Sequence, residues 1–383
     1  MGRSKTLVSI FSVTTLVSAV GAVGLLGGSA QASPPSPSLT VVASHLSNPR
    51  GLAMSEGRLY VAEAGRGGAK HCLTDPSGTN CVGLTGAIDR VNRHGGTRLT
   101  KGLVSIAGPD GVAAIGPAAV SVDDGRVYGV IGANTIGIPR AGFPKWLLRA
   151  AHQQLGHFGR AADGVFKPIS PVGDADYWWT NRHKYLVPDQ FPDSNPNGLW
   201  VHDDMRIVAD AGANALSVVG HNGKSHVVAF FPAPKGSVTD SVITCVAKGP
   251  DRALYVGELL GGSFAPGGAR VWRVGWSHGK ITKSVWANDL TTIQGCGFDK
   301  WGNFYATEFQ TGGLNFDPSA SPLGDVVKIA PSGQRTTLGT GQLFWPSGFA
   351  AGRDGSIYVS NCSIAPSAGF GPCPNGGQVV RIH

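Results

Sequence analysis

Charge is scarce in this 383-residue chain: Asp, Glu, Lys and Arg together make up only 15% of it. With 57 glycines and 25 prolines beside that shortage, the composition points to short strands joined by many turns rather than to charge-studded helices. Lys and Arg form no run or stripe, which argues against nucleic acid as a partner although the formal net charge is +8. Mild basicity of this kind bears mainly on solubility and on weak attraction to anionic polymers. Beyond the first 26 residues no apolar stretch is long enough to span a bilayer. There is no C-x-x-C pair and no His at a zinc spacing. The G-x-S-x-G elbow, the P-loop, H-E-x-x-H and the EF-hand loop are all missing. Helical 3.6-residue periodicity is missing from the repeats described below, which excludes an α-solenoid.

What is present begins with an address. Arg3 and Lys5 form a basic start, Leu7 to Leu26 is largely apolar, and Ala30-Gln31-Ala32 fits a cleavage site. Residues 1–32 are therefore read as a signal peptide and 33–38 as a Pro/Ser-rich linker, with an exported, monomeric protein free of membrane spans after cleavage.

One phrase then recurs. Gly57-Arg58-Leu59-Tyr60-Val61-Ala62-Glu63 returns, with variations, around Tyr128, Val208, Tyr255, Tyr305 and Tyr358, about 50 residues apart once the long second and third copies are passed. A short apolar stretch led in by Pro, Gly or Cys precedes each copy, as in Asn48-Pro49-Arg50-Gly51-Leu52 and Asn195-Pro196-Asn197-Gly198-Leu199. An alternating run follows most of them, as in Arg270-Val271-Trp272-Arg273-Val274, and a Gly-centred turn leads to a fourth run. Alternation marks half-buried strands, and turns such as Asn222-Gly223 supply the positive φ of tight hairpins. Four antiparallel strands per repeat, six times over, predict an all-β, six-bladed β-propeller over residues 39–383. The last copy stops after its third strand, while Leu39-Thr40-Val41-Val42-Ala43 stands unpartnered before the first. The N-terminal strand is expected to complete blade six and close the ring.

One partly helical insertion, about 139–194, interrupts the pattern. Pro144 to Leu155 has helix-like spacing, and Gly156 to Ser170 reads as the outer strands of blade two. Tyr177, Trp178 and Trp179 follow beside Arg182, His183 and Lys184. With Trp146 they make a candidate ligand site at a channel mouth, since aromatic faces with cationic neighbours suit planar, phenolic or sugar ligands. The other reading is a helix that packs its indoles over one propeller face.

Six cysteines in an exported chain favour disulfides. Cys72 and Cys81 share one loop of blade one, and Cys362 and Cys373 share the same loop of blade six. Cys245 and Cys296 hold one slot in the innermost strands of blades four and five. The expected pairs are 72–81, 245–296 and 362–373. The repeated strand also ends on a polar residue: Glu63, Asp210, Glu258, Glu308 and Asn361, with Asn134 a looser equivalent. These are either oxygen ligands for a hard cation such as Ca²⁺ or local caps of the blades' own turns.

The segments Leu46-Ser47-Asn48-Pro49-Arg50-Gly51-Leu52, Gly83-Leu84-Thr85-Gly86-Ala87-Ile88 and Ser194-Asn195-Pro196-Asn197-Gly198-Leu199, with Val208 to Leu216 after the last, carry a resemblance over nearly all the chain beyond the signal. The chain resembles the ScyD/ScyE family, bacterial secreted proteins with NHL-like propeller repeats named for their association with scytonemin pigment formation. The resemblance implies a link to secondary metabolism and brings no catalytic residues. The Trp-rich insertion and the Cys245/Cys296 pair depart from the family. Because the inner-strand lead-ins carry little charge, the first functional reading is a non-catalytic propeller binding a small molecule, glycan or protein on one face. The alternative is a propeller enzyme, a calcium-dependent lactonase-like hydrolase or a quinone-linked sugar dehydrogenase.

Overall fold

The computed structural model describes residues 38–75, 78–92, 95–138, 142–187, 190–234, 240–261, 266–277, 280–314 and 320–383. The expected signal peptide and nearly all of the expected linker lie outside the described residues, as do 139–141 and 188–189 of the insertion.

The chain enters as β1 (Leu39–Leu46). Blade one follows as β2 (Pro49–Ser55), β3 (Arg58–Glu63), a short β4 (Cys72–Asp75), β5 (Gly78–Asn92) and β6 (Gly95–Ala107). Blade two is β7 (Pro117–Asp123), β8 (Arg126–Ile131), β9 (Phe158–Ala162) and β10 (Val165–Ser170). Helix α1 (Lys145–Gln154) lies between β8 and β9, and α2 (Val172–Arg182) follows β10. Blade three is β11 (Pro196–His202), β12 (Met205–Asp210), β13 (Ala215–Val219) and β14 (Ser225–Phe230). Blade four is β15 (Ile243–Lys248), β16 (Leu254–Glu258), β17 (Ala269–Ser277) and β18 (Lys280–Leu290). Blade five is β19 (Ile293–Phe298), β20 (Phe304–Glu308), β21 (Leu323–Ile329) and β22 (Arg335–Phe344). Blade six has only β23 (Phe349–Ala351), β24 (Ile357–Asn361) and β25 (Gly377–Ile382) of its own. Its fourth strand is β1, antiparallel to β25 with Leu39 opposite Ile382 and Leu46 opposite Gly377. The expected six-bladed propeller and its N-terminal closure are what the chain forms.

The repeated Tyr has a local reason. At the turn between the first two strands of a blade, an Asp accepts backbone N–H groups: Asp251 from Ala253, Asp299 from Trp301 and Asn303. Tyr255 and Tyr305 donate their hydroxyls to the other oxygen of the same Asp, at 3.3 and 3.0 Å. A strand residue thereby pins the turn that starts its strand.

The blades hold together face to face. Ile207, Leu216 and Phe231 of blade three meet Ile243, Leu254 and Trp272 of blade four, and similar apolar clusters fill the other five junctions. Near the axis the innermost strands touch backbone to backbone. A Cβ on Gly348 would fall 2.2 Å from the Arg50 carbonyl oxygen, and one on Gly198 would fall 2.9 Å from the Cys245 Cα. Glycine is required there by proximity, not by φ.

The three disulfides pair as expected: 72–81, 245–296 and 362–373. They place the chain in an oxidising environment. Among the described residues no helix is long and apolar enough to cross a membrane. Cys245–Cys296 joins the inner strands of blades four and five across 51 residues, against 9 for Cys72–Cys81. Closing the longer loop removes more entropy from the unfolded chain, so the double change Cys245→Ala with Cys296→Ala should cost about 3–4 kcal/mol. Urea unfolding measures it, and a cost no larger than that of the Cys72/Cys81 double variant would contradict the argument.

Candidate functional site

The connection from one blade to the next and the connection between a blade's second and third strands open on the same end of a propeller. Both helices, the Cys72–Cys81 and Cys362–Cys373 loops, and the repeated acidic strand ends therefore share one face.

On that face the acidic residues do not converge. Glu63 accepts the Ser47 N–H at 2.6 Å, Asp210 that of Asn195 at 2.7 Å, Glu308 that of Thr291 at 2.7 Å and Asn361 that of Phe344 at 2.7 Å. Each carboxyl or amide thus fastens the lead-in to its own blade's inner strand. Glu258 accepts from the Ser241 hydroxyl, the Arg270 guanidinium and the Trp272 indole, all within 2.6–2.7 Å. Asn134 caps Ile136 and reaches the Ser194 carbonyl. Three ligand atoms approach within 4.8 Å, among the described residues, only at Asp123, His202 and Asp203. That group stands on the opposite face, where the His bridges the two carboxylates at 3.1 and 3.4 Å.

Three of the caps face a second buried acid: Asp89 beside Glu63, Asp176 beside Asp210, and Asp325 beside Glu308. Burial, then the neighbour's charge, pushes Glu63 up to about 8. Burial pushes Glu308 to about 7, Asp176 to about 7 and Asp325 to about 6, and raises Asp210 well above the carboxylate range. Two carboxyls in one dry site share a proton rather than ionise together. The partner acids went unnoticed in the sequence because each lies on a different element: a third strand for Asp89 and Asp325, a helix for Asp176.

The insertion divides between blades. Helix α1 buries Leu147 and Ala151, with Leu155 just past its end, one helical turn apart, and Ala151 and Leu155 pack with Leu103 and Val104 of blade one. Gln154 accepts the Val104 N–H there. Trp146 is left 55% exposed, its ring 5.9 Å from His71. Helix α2 lies instead on blade three, and Asp176, fully buried, accepts the Ser217 hydroxyl of β13 at 2.7 Å. Trp146 and the Tyr177-Trp178-Trp179 run are therefore not brought together, and the latter stand over β14, the outer strand of blade three, rather than at the channel mouth.

Around α2 the aromatic residues form walls. Trp178 is 47% exposed with Tyr177 edge-on to it at 5.5 Å. His183 stacks on Trp179 at 4.2 Å and is held through Nδ1 to the Trp179 carbonyl. Between α2 and β14 runs a groove of about 270 Å³ lined by Asp176, Trp178, Trp179, Arg182, Ser225 and His226, among others. The Ser225 hydroxyl in it is buried without a partner. On the other side of Trp179, Leu186, Val187, Phe191 and Phe230 line a shallower apolar cleft with His183.

No family model and no curated protein matches the sequence. Among solved structures the chain is similar to the gluconolactonase XC5397 from Xanthomonas campestris, with 12% identity and a TM-score of 0.50 over 91% of this chain and 90% of that one. It is also similar to virginiamycin B lyase from Staphylococcus aureus, at 14% identity and TM-score 0.44 over 85% and 83% of the two chains. A third is the PQQ-bound aldose sugar dehydrogenase from Streptomyces coelicolor, at 13% and 0.43 over 92% and 100%. At such identities the likeness shows the propeller fold alone. The expectation of a non-catalytic module is corrected on one finding: the solved propeller on which the chain overlays at a TM-score of 0.50 is a gluconolactonase.

Proposed function

We propose that the protein is an exported propeller enzyme of the hydrolase class that opens a cyclic ester, with its substrate held in the groove beside α2. The observation that carries the reading is the aromatic groove itself, walled by Trp178 and Trp179 with Arg182 at its rim. Behind that wall Asp176 is fully buried, and burial, opposed by the Ser217 hydrogen bond, raises its pKa to about 7. Trp178 and Trp179 stack on a planar or sugar-like ring, and the Arg182 guanidinium at the rim draws charge onto the ester carbonyl. A water oxygen attacks the carbonyl carbon and gives up a proton, while Asp176, buried behind the groove wall, holds α2 to β13 through Ser217. The ring C–O bond breaks, and the departing oxygen receives that proton. His183, stacked behind Trp179, positions the indole. The repeated acids support no calcium centre in this reading, because each is bound within its own blade.

Purified protein is expected to hydrolyse members of a lactone panel, followed by acid release in a pH-stat. Arg182→Gln should lower kcat by roughly 10²-fold, and Trp178→Ala with Trp179→Ala should raise KM more than it lowers kcat. Dye reduction with an aldose and added quinone, in place of lactone turnover, would establish the dehydrogenase instead. Export by cleavage after Ala32 and membership of the ScyD/ScyE family are part of the same proposal. Export is supported by the N-terminal segment and the disulfides, and the family by the sequence segments given above.

A further inference from the structure

Every inner strand bulges at the same place. The register slips between Pro49 and Leu52, Pro117 and Ala119, Pro196 and Gly198, Ile243 and Cys245, and Ile293 and Gly295. In blade six Ser347 and Gly348 both bond Ser360, the same two-against-one count. A bulge turns its extra residue out of the pleat, and on an innermost strand the open side is the axis. Taken around the ring, those residues are Arg50, Ala118, Asn197, Thr244, Gln294 and Ser347.

Long and short side chains alternate, as six chains aimed at one axis require. The two short polar ones are buried, and Thr244 donates to the Ile293 carbonyl at 2.6 Å. The three long ones, from blades one, three and five, are half-buried and under-used. Arg50 makes one hydrogen bond among the described residues, from a terminal nitrogen to the Ala114 carbonyl at 3.0 Å, and no ion pair. The side-chain amides of Asn197 and Gln294 make no hydrogen bond among the described residues. All three have the reach to meet. Cys245 and Cys296, on adjacent inner strands beside this level, have Cα atoms 5.8 Å apart. In a ring of six the axis is about as far from each strand as its neighbour is.

A guanidinium held this deep without a counter-charge is costly, and burial alone pulls the Arg50 pKa down to about 10. The acids of the same face cannot serve it, because they are tied into their blades. A ligand can. A carboxylate accepts two parallel N–H bonds from a guanidinium fork, and the flanking amide NH₂ groups supply further donors.

We propose that the axial mouth is a second ligand site, distinct from the α2 groove, in which Arg50 binds the carboxylate of a small organic acid and Asn197 and Gln294 close around it. The narrow ring of inner strands admits the acid group and holds the rest of the molecule on the helix-bearing face.

Acetate, glycolate and benzoate, with inorganic phosphate for comparison, are titrated into the purified protein at low chloride by calorimetry. The expected result is saturable binding of at least one carboxylate in preference to phosphate. Arg50→Gln should weaken it tenfold or more, and Arg50→Lys should weaken it less. Because Arg50→Gln also removes the bond to Ala114, the double change Asn197→Ala with Gln294→Ala is measured beside it and should weaken binding at least threefold with an unchanged melting temperature. No carboxylate bound by the unaltered protein, phosphate preferred to every carboxylate, or an affinity unmoved by either variant would each overturn the site. Lactone turnover is unaffected by either outcome, so failure here is distinct from failure of the α2 groove.

Discussion

Removal of Leu39–Leu46 is expected to unfold the ring at a temperature at least 10 °C lower than the unaltered protein and to drive it into aggregates. The strand is the fourth of blade six, and it is also the lead into blade one. Its Ala43 and Leu46 are buried with Leu52, Leu59 and Val61 of blade one and Val379 of blade six, so one segment seals the only junction that the chain order leaves unsealed. Loss of the Leu46 side chain alone is worth about 2–5 kcal/mol, to which the whole ladder to β25 is added. For a chain of this size each kcal/mol moves the melting temperature by roughly 2 °C. The deletion also bares the β25 edge, with Val379, Val380 and Ile382 along it, and an exposed apolar edge pairs with other copies. Thermal melts and size-exclusion chromatography decide the matter. A truncated chain as stable as the parent and no more associated would mean that closure lies elsewhere.

The second large effect is an inverse dependence of stability on pH. Glu63 with Asp89, Asp210 with Asp176 and Glu308 with Asp325 all have pKa values raised by folding, chiefly through burial. A raised group favours the folded state fully below its unfolded value and loses that contribution as pH climbs through the folded one. The window therefore runs from about 4.5 to about 8, the two ends of the Glu63 shift. The surrounding charges do not reverse the sign. Arg98 stands 3.6 Å from Glu63 and Arg335 acts on Glu308, each opposing the rise, while Asp193 adds to it at Asp210. Melting temperature should fall by roughly 10 °C between pH 5 and pH 9, on the order of 2 kcal/mol for each pair. Glu308→Gln removes one titrating member while keeping an acceptor for the Thr291 N–H, so it should flatten the slope and raise the melting temperature at pH 9. Equal stability at the two pH values, with no effect of Glu308→Gln, would show that the pairs do not depend on a shared proton.

Much of the architecture could be read from the chain because the propeller's elements are local and repeated. Tyr255 and Tyr305 bond to an Asp only four and six residues earlier, so one short phrase carries the turn, the strand and their joint. The disulfide pairs could be inferred for a related reason: Cys245 and Cys296 meet because adjacent inner strands converge, although the registers set them one position apart, Cys245 opposite Gly257 and Cys296 opposite Ala306. The missing strand of blade six and the spare one before blade one were two halves of a single count.

What only the tertiary structure decided is what lies between repeats. The acids that end each second strand are alike in sequence, yet Glu258 meets an arginine and an indole while Glu63, Asp210 and Glu308 each meet another acid. The partner comes from a position that the repeat does not preserve, and for Asp210 from α2. The indoles of the insertion were separable only in space, since α1 turned Trp146 toward blade one and α2 carried Trp178 and Trp179 to blade three. Arg50 stood in plain view within Asn48-Pro49-Arg50-Gly51, but its isolation from any counter-charge depends on which carboxylates the blades had already claimed. Local hydrogen bonding and alternation set the blades, because they act over a few residues. The sites depend on packing between distant segments, where burial rather than residue type sets the charge each group can carry.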